Sequence, residues 1–83
     1  MTMQEVDKKV KEITAKILKK DPSQIKNEHR FSEDLNADSL KSLELVAAFD
    51  EGFEIEMDED DALSVKNVGD AIAFIAKYVN QSA

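Results

Sequence analysis

Val6, Val10, Ile13 and Ile17 recur at intervals of four, three and four residues, with Leu18 beside them. That period places them on one face of an α-helix, and the pattern predicts a helix over about 3–19. Thr2 is placed to cap its start, and Glu5 three residues on completes a capping box. Lys16, Lys19 and Lys20 gather near its end, where the helix dipole favours cations, and Asp21-Pro22 stops it. Residues 20–37 then carry no helical period, a connection longer than the roughly two to eight residues common between bundled helices. Ile25, Phe31 and Leu35 are spaced through it as anchors onto a core.

Asp38 suits the cap of a second helix running to about Glu51, with Gly52 as its stop. Leu43, Leu45, Val46, Ala47, Phe49 and Phe53 fall on one broad face. Lys41, Glu44, Ala48 and Glu51 fall on the other, and Leu40 lies at the edge. Phe53-Glu54-Ile55-Glu56-Met57 alternates like a strand, but no partner strand exists in the chain, so it reads as an extended loop. Asp58 to Ala62 predicts one short helical turn with Leu63 facing inward. A last helix starts after Asn67, with Asp70 at its third position, and runs to about Asn80. Val68, Ala71, Ile72, Ile75 and Val79 form its buried stripe, flanked by Phe74 and Tyr78. The pattern predicts an all-α domain over 1–83, a small four-helix bundle of three longer helices and one short one. A long loop separates the first two helices.

Composition narrows the chemistry. A hydrophobic content of 42% is enough for one core, and the absence of cysteine excludes disulfides and thiolate metal sites. No apolar run approaches the ~18 residues of a membrane span, and Met1 to Lys11 is charged rather than signal-like, which points to a cytoplasmic protein. Charge is divided along the chain. Residues 1–30 hold five acids and eight bases, while residues 33–61 hold twelve acids and one base, Lys41. A field of that sign disfavours nucleic acid and anionic membranes and steers basic protein patches toward the acidic segment. The same polarity leaves no self-complementary apolar patch, so a monomer is expected.

Few side chains are suited to catalysis. Asp58-Glu59-Asp60-Asp61 invites a calcium reading, but an EF-hand loop started there would place Leu63 and Gly69 where glycine and glutamate belong. Loose divalent binding by crowded carboxylates is expected there, not a specific metal site. His29 is the only histidine and has no cysteine to share a metal. Ser39 follows an acid but has no histidine beside it, and two glycines cannot build a phosphate-cradling loop. The chain therefore reads as no enzyme. As the first residue of a helix, Ser39 would point outward beside free backbone N–H groups, a setting suited to an attached phosphate. Those residues alone favour a plain helix-start serine.

The stretch Asp34-Leu35-Asn36-Ala37-Asp38-Ser39-Leu40 closely resembles the phosphopantetheine attachment motif of acyl carrier proteins. Phe31 before it, Glu44-Leu45 after it, Phe53-Glu54-Ile55 and the final helix extend the resemblance over roughly residues 3–80. The resemblance implies 4'-phosphopantetheine carried covalently on Ser39, with Asp38 and Leu40 flanking it. A phosphopantetheinyl transferase would attach it, and acyl-transfer and chain-elongation enzymes would use it. It also implies a docking surface of Leu40, Lys41, Leu43, Glu44, Ala47, Asp50 and Glu51 for their basic patches. Leu43, Val46, Ala47, Ile55, Ala62 and Ile72 are the expected lining for a sheltered acyl chain.

Four positions depart from the family pattern. Asn36 replaces a glycine, Lys41 stands where an acid is common, Gly52 replaces an acid, and Met57-Asp58 replaces isoleucine-proline. The last three bear on partner identity and suggest a specialised carrier. An aminoacyl or peptidyl carrier is the nearest variant, disfavoured by the acidity. A non-covalent helical interaction module is the alternative from another class.

Overall fold

α1 (Met3–Leu18) starts on the expected capping box. The Thr2 hydroxyl accepts the Glu5 N–H at 3.2 Å, and the Glu5 carboxylate accepts the Thr2 N–H at 3.0 Å. Lys19 ends the helix in the left-handed region, its N–H donated to the Ala15 carbonyl. This computed structural model describes residues 2–81, with side chains through Asn80.

The long connection is ordered by specific ties. A 3-10 turn at Pro22–Gln24 is capped by Asp21, whose carboxylate accepts the Ser23 N–H at 2.9 Å and the Ser23 hydroxyl at 2.7 Å. Further on, the loop pairs its backbone with the start of the last helix. The Phe31 N–H donates to the Lys66 carbonyl, Val68 to His29, and Gly69 to Asn27, at 3.0, 3.0 and 2.9 Å. The backbone of the loop is thereby paired to the start of α4. Gly69 eases this approach: a Cβ there would lie 3.2 Å from the Asn27 carbonyl oxygen, a tight contact. Ile25 and Leu35 are buried, as expected of anchors, and Ala37 joins them.

α2 (Ser39–Phe53), α3 (Glu59–Ser64) and α4 (Val68–Gln81) complete the four-helix, strand-free fold of the described residues. Val6 and Val10 of α1, Leu45, Phe49 and Phe53 of α2, and Val68, Ile72 and Ile75 of α4 form the centre of the core. Asn67 caps α4, its side-chain oxygen accepting the Asp70 N–H at 2.8 Å. Phe74 and Tyr78 meet edge to face with ring centroids 5.1 Å apart.

Three expectations are corrected. α2 does not stop at Gly52; it runs to Phe53, and Glu54 takes the left-handed cap at φ 56°. Gly52 instead provides room, because a Cβ there would come within 2.7 Å of the Ile13 Cδ1 atom of α1. Leu43 and Ala47 lie outside the buried face of α2, and Ala48 is half-buried. The buried spacing is the strict four-residue step of Leu45, Phe49 and Phe53, a narrower stripe than the apolar residues suggest. Leu63 does not turn fully inward: it is 36% exposed at the surface while also bordering the space between α2, α3 and α4.

Candidate functional site

The loop delivers its last residues to one place. Leu35 and Ala37 are buried on either side of Asn36, which turns the chain through the left-handed region at φ 58°. Asparagine tolerates that conformation better than most residues. Upstream, the Asp34 carboxylate accepts the Arg30 N–H at 2.8 Å and lies 3.4 Å from the guanidinium Nε. The backbone hydrogen bond chiefly, and the guanidinium after it, hold this carboxyl below the ordinary value.

Asp38 caps α2, its carboxylate accepting the Lys41 N–H at 2.9 Å and its carbonyl the Ser42 N–H at 2.8 Å. The helix begins at Ser39, which is exposed. The Ser39 hydroxyl and the N–H groups of Ser39 and Leu40 make no hydrogen bond among the described residues. An exposed hydroxyl stands beside the orphan donors of a helix start, where a negative group is stabilised.

The surface around Ser39 mixes apolar and acidic groups. Leu40 is 65% exposed and Leu43 43% exposed, with Glu44, Ala47 and Glu51 also exposed along α2. Lys41 is half-buried and pairs with Glu44 at 3.3 Å. Asp50 departs from this group: half-buried, it accepts the Met57 N–H at 3.0 Å and holds the loop after α2. Asp58 to Asp61 are exposed, and among the described residues no three histidine, cysteine, aspartate or glutamate side chains come together to hold a metal. No described helix is long and apolar enough to cross a membrane.

Behind α2 lies a cavity of about 50 Å³, bounded by α2, α3 and α4 and by Phe31 of the loop. Of the expected lining residues, Val46 and Ala62 border it. Leu43 and Ala47 are exposed, Ile55 packs half-buried against the core, and Ile72 lies in a separate groove with Met3 and Asn27. Leu45, Phe49, Met57 and Ile75 take their place, together with Ser42. The hydrophobic period identified most of these as buried but could not say which buried residues face a gap. Spacing alone places Ser42, three residues after Ser39, on the same helix face.

Residues 8–75 match the family described as the phosphopantetheine attachment site. An acyl carrier protein of Sulfurovum sp. is 47% identical over 66 residues, 80% of this chain and 88% of that relative. An acyl carrier protein of Thermosynechococcus vestitus is 44% identical over 79 residues, 95% of this chain and 98% of that relative. A solved structure of the Enterococcus faecalis acyl carrier protein, described for its high thermal stability, superimposes with a TM-score of 0.76 at 31% identity. The superposition covers 94% of this chain and 99% of that one.

Proposed function

The chain belongs to the phosphopantetheine attachment family, and from that premise we propose that it is an acyl carrier whose 4'-phosphopantetheine is attached to Ser39. One observation carries the assignment to this residue: its hydroxyl is exposed and unbonded at the first position of a 15-residue helix. The residues fit the group. The unbonded N–H groups of Ser39 and Leu40 at the start of α2 could donate to a phosphodiester on the serine, while the Asp38 carboxylate is already engaged by the Lys41 N–H.

Attachment forms a bond from the Ser39 oxygen to the phosphorus next to pantetheine. It breaks that phosphorus's bond to the remainder of coenzyme A, which leaves as adenosine bisphosphate, and the serine proton is taken up by a base. A phosphopantetheinyl transferase supplies that base, and the chain acts as carrier, as its acyl-carrier relatives do. Once attached, the group supplies a terminal thiol that holds acyl chains as thioesters. Leu40, Leu43, Glu44, Ala47 and Glu51 present an apolar and acidic surface to basic patches on cytoplasmic biosynthetic enzymes, with Lys41 modulating it. That arrangement favours rapid exchange between partners over tight binding. Residues 1–83 act as one carrier unit. The cavity behind α2 shelters the near end of the acyl chain.

Intact-protein mass after incubation with coenzyme A, magnesium and a broad-range phosphopantetheinyl transferase tests the assignment. One phosphopantetheine is gained by the wild type and none by Ser39→Ala. Loading of a folded Ser39→Ala protein moves the site elsewhere.

A further inference from the structure

Eleven of the twelve residues bordering the cavity behind α2 are apolar, and the twelfth is Ser42. Its backbone N–H is satisfied by the Asp38 carbonyl at 2.8 Å, but its hydroxyl makes no hydrogen bond among the described residues. A serine inside a helix either turns its hydroxyl back onto the carbonyl four residues earlier or leaves it to solvent; here the first contact is absent, and the hydroxyl at the cavity rim stays accessible to water. The residue gives the fold little. It is a weaker helix former than alanine, and an apolar side chain would match the rest of the cavity wall.

Its position suggests another use. Ser39 and Ser42 are three residues apart in α2, so they are neighbours on one helix face, with Cβ atoms roughly 5–6 Å apart. Ser42 therefore marks the end of the cavity nearest the attachment residue. At about 50 Å³ the cavity has room for little more than the first few atoms of a guest. The chemistry of the near end of the chain then decides how well it fits.

We propose that Ser42 selects acyl chains bearing an oxygen on the third carbon, 3-oxo or 3-hydroxy, by pairing that oxygen with its hydroxyl at the cavity mouth. This rests on the carrier reading above. A serine hydroxyl both donates and accepts, so it serves either oxidation state. A saturated chain has no group at the third carbon to offer, so where it covers the hydroxyl it displaces water without replacing the hydrogen bond. The thioester oxygen is common to every chain and confers no preference between them.

The test loads wild type, Ser42→Ala and Ser42→Thr with butanoyl and with 3-hydroxybutanoyl thioesters on the attached arm. Protection against hydroxylamine cleavage is measured for each, relative to the same thioester on free pantetheine. The quantity read is the ratio of 3-hydroxybutanoyl to butanoyl protection within each variant, which cancels general effects on stability. Ser42→Ala is expected to lower the ratio about fivefold, equivalent to one neutral hydrogen bond of ~1 kcal/mol, and Ser42→Thr to retain it. An unchanged ratio with butanoyl still protected removes the selecting role and leaves the sheltering cavity intact. No protection of either chain in the wild type overturns the sheltering reading and this proposal with it.

Discussion

The Asp50 carboxylate accepts the Met57 N–H at 3.0 Å, seven residues further along the chain. The Asp50 carbonyl accepts the Ile55 N–H, also at 3.0 Å. One residue thus holds the loop that leaves α2 by both its backbone and its side chain. Met57 borders the cavity, so the tie also fixes part of the cavity wall.

Asp50→Ala should therefore lower stability by about 1–2 kcal/mol in urea unfolding, the cost of leaving a half-buried donor without its charged acceptor. Amide exchange at Met57 should quicken in the same variant. Asp50→Asn keeps an acceptor and should lose less. Unchanged stability with weakened partner binding would instead return Asp50 to the docking surface that the sequence assigned it.

Gly52 is a position where two effects oppose one another. Alanine gains about 1 kcal/mol of helix propensity over glycine in a helix interior, but its Cβ would sit 2.7 Å from Ile13 Cδ1. That atom is the tip of a half-buried side chain, so it gives way at modest cost. Gly52→Ala alone should change stability by less than about 1 kcal/mol, with Ile13 displaced. Made in an Ile13→Val background, which lacks the offending methyl, the same substitution should stabilise by about 1 kcal/mol. A double-mutant cycle with no coupling would show that the two helices do not meet there.

Acid should loosen the loop before Ser39. Hydrogen bonding holds the Asp34 carboxyl below its ordinary value, so its stabilising contribution is complete above the unfolded-state pKa and is lost as pH falls through the lower folded value. Asp21 and Glu5 behave likewise, held down chiefly by Ser23 and by the Thr2 backbone respectively. The stability advantage of wild type over Asp34→Asn should be constant from neutrality to about pH 5 and should shrink below about pH 4. Comparing the two proteins cancels the relief of acidic self-repulsion that both experience. A difference that persists at pH 2 would mean the charge of Asp34 is not what holds the loop.

The sequence disclosed helices where capping and period agreed. Thr2 with Glu5, and Asn67 with Asp70, both form the caps their spacing implied. It was less informative where tertiary contact decides conformation. Gly52 reads as a helix stop because glycine readily adopts left-handed angles. Yet Glu54 adopts them here, and Gly52 is set by the nearness of Ile13. Leu43 and Ala47 read as buried because they are apolar, but four-residue stepping from Leu45 leaves them outside. Ser39 could be singled out because its neighbours form a recognisable motif. The cavity was not, since a void depends on how helices pack and no single residue records it.

Lys41 lies in the first turn of α2, two residues after Ser39, where a cation opposes the helix dipole. Its pairing with Glu44 is solvent-exposed enough to contribute little. Stability therefore does not account for a lysine here. Replacing it with glutamate should raise stability by about 0.5 kcal/mol at low ionic strength. It should also change rates with partners, because it replaces a positive with a negative charge, a net shift of −2, on the surface beside Ser39. The expected pattern is faster association with transferases and acyl-transfer enzymes that dock through basic patches, the gain fading as salt rises. Enzymes that use an acid to contact Lys41 should instead slow. Loading and transfer rates for both versions across a panel of such enzymes, at low and high salt, make the comparison. Equal rates across the panel would remove Lys41 from partner choice and leave it an unfavourable helix residue without a role.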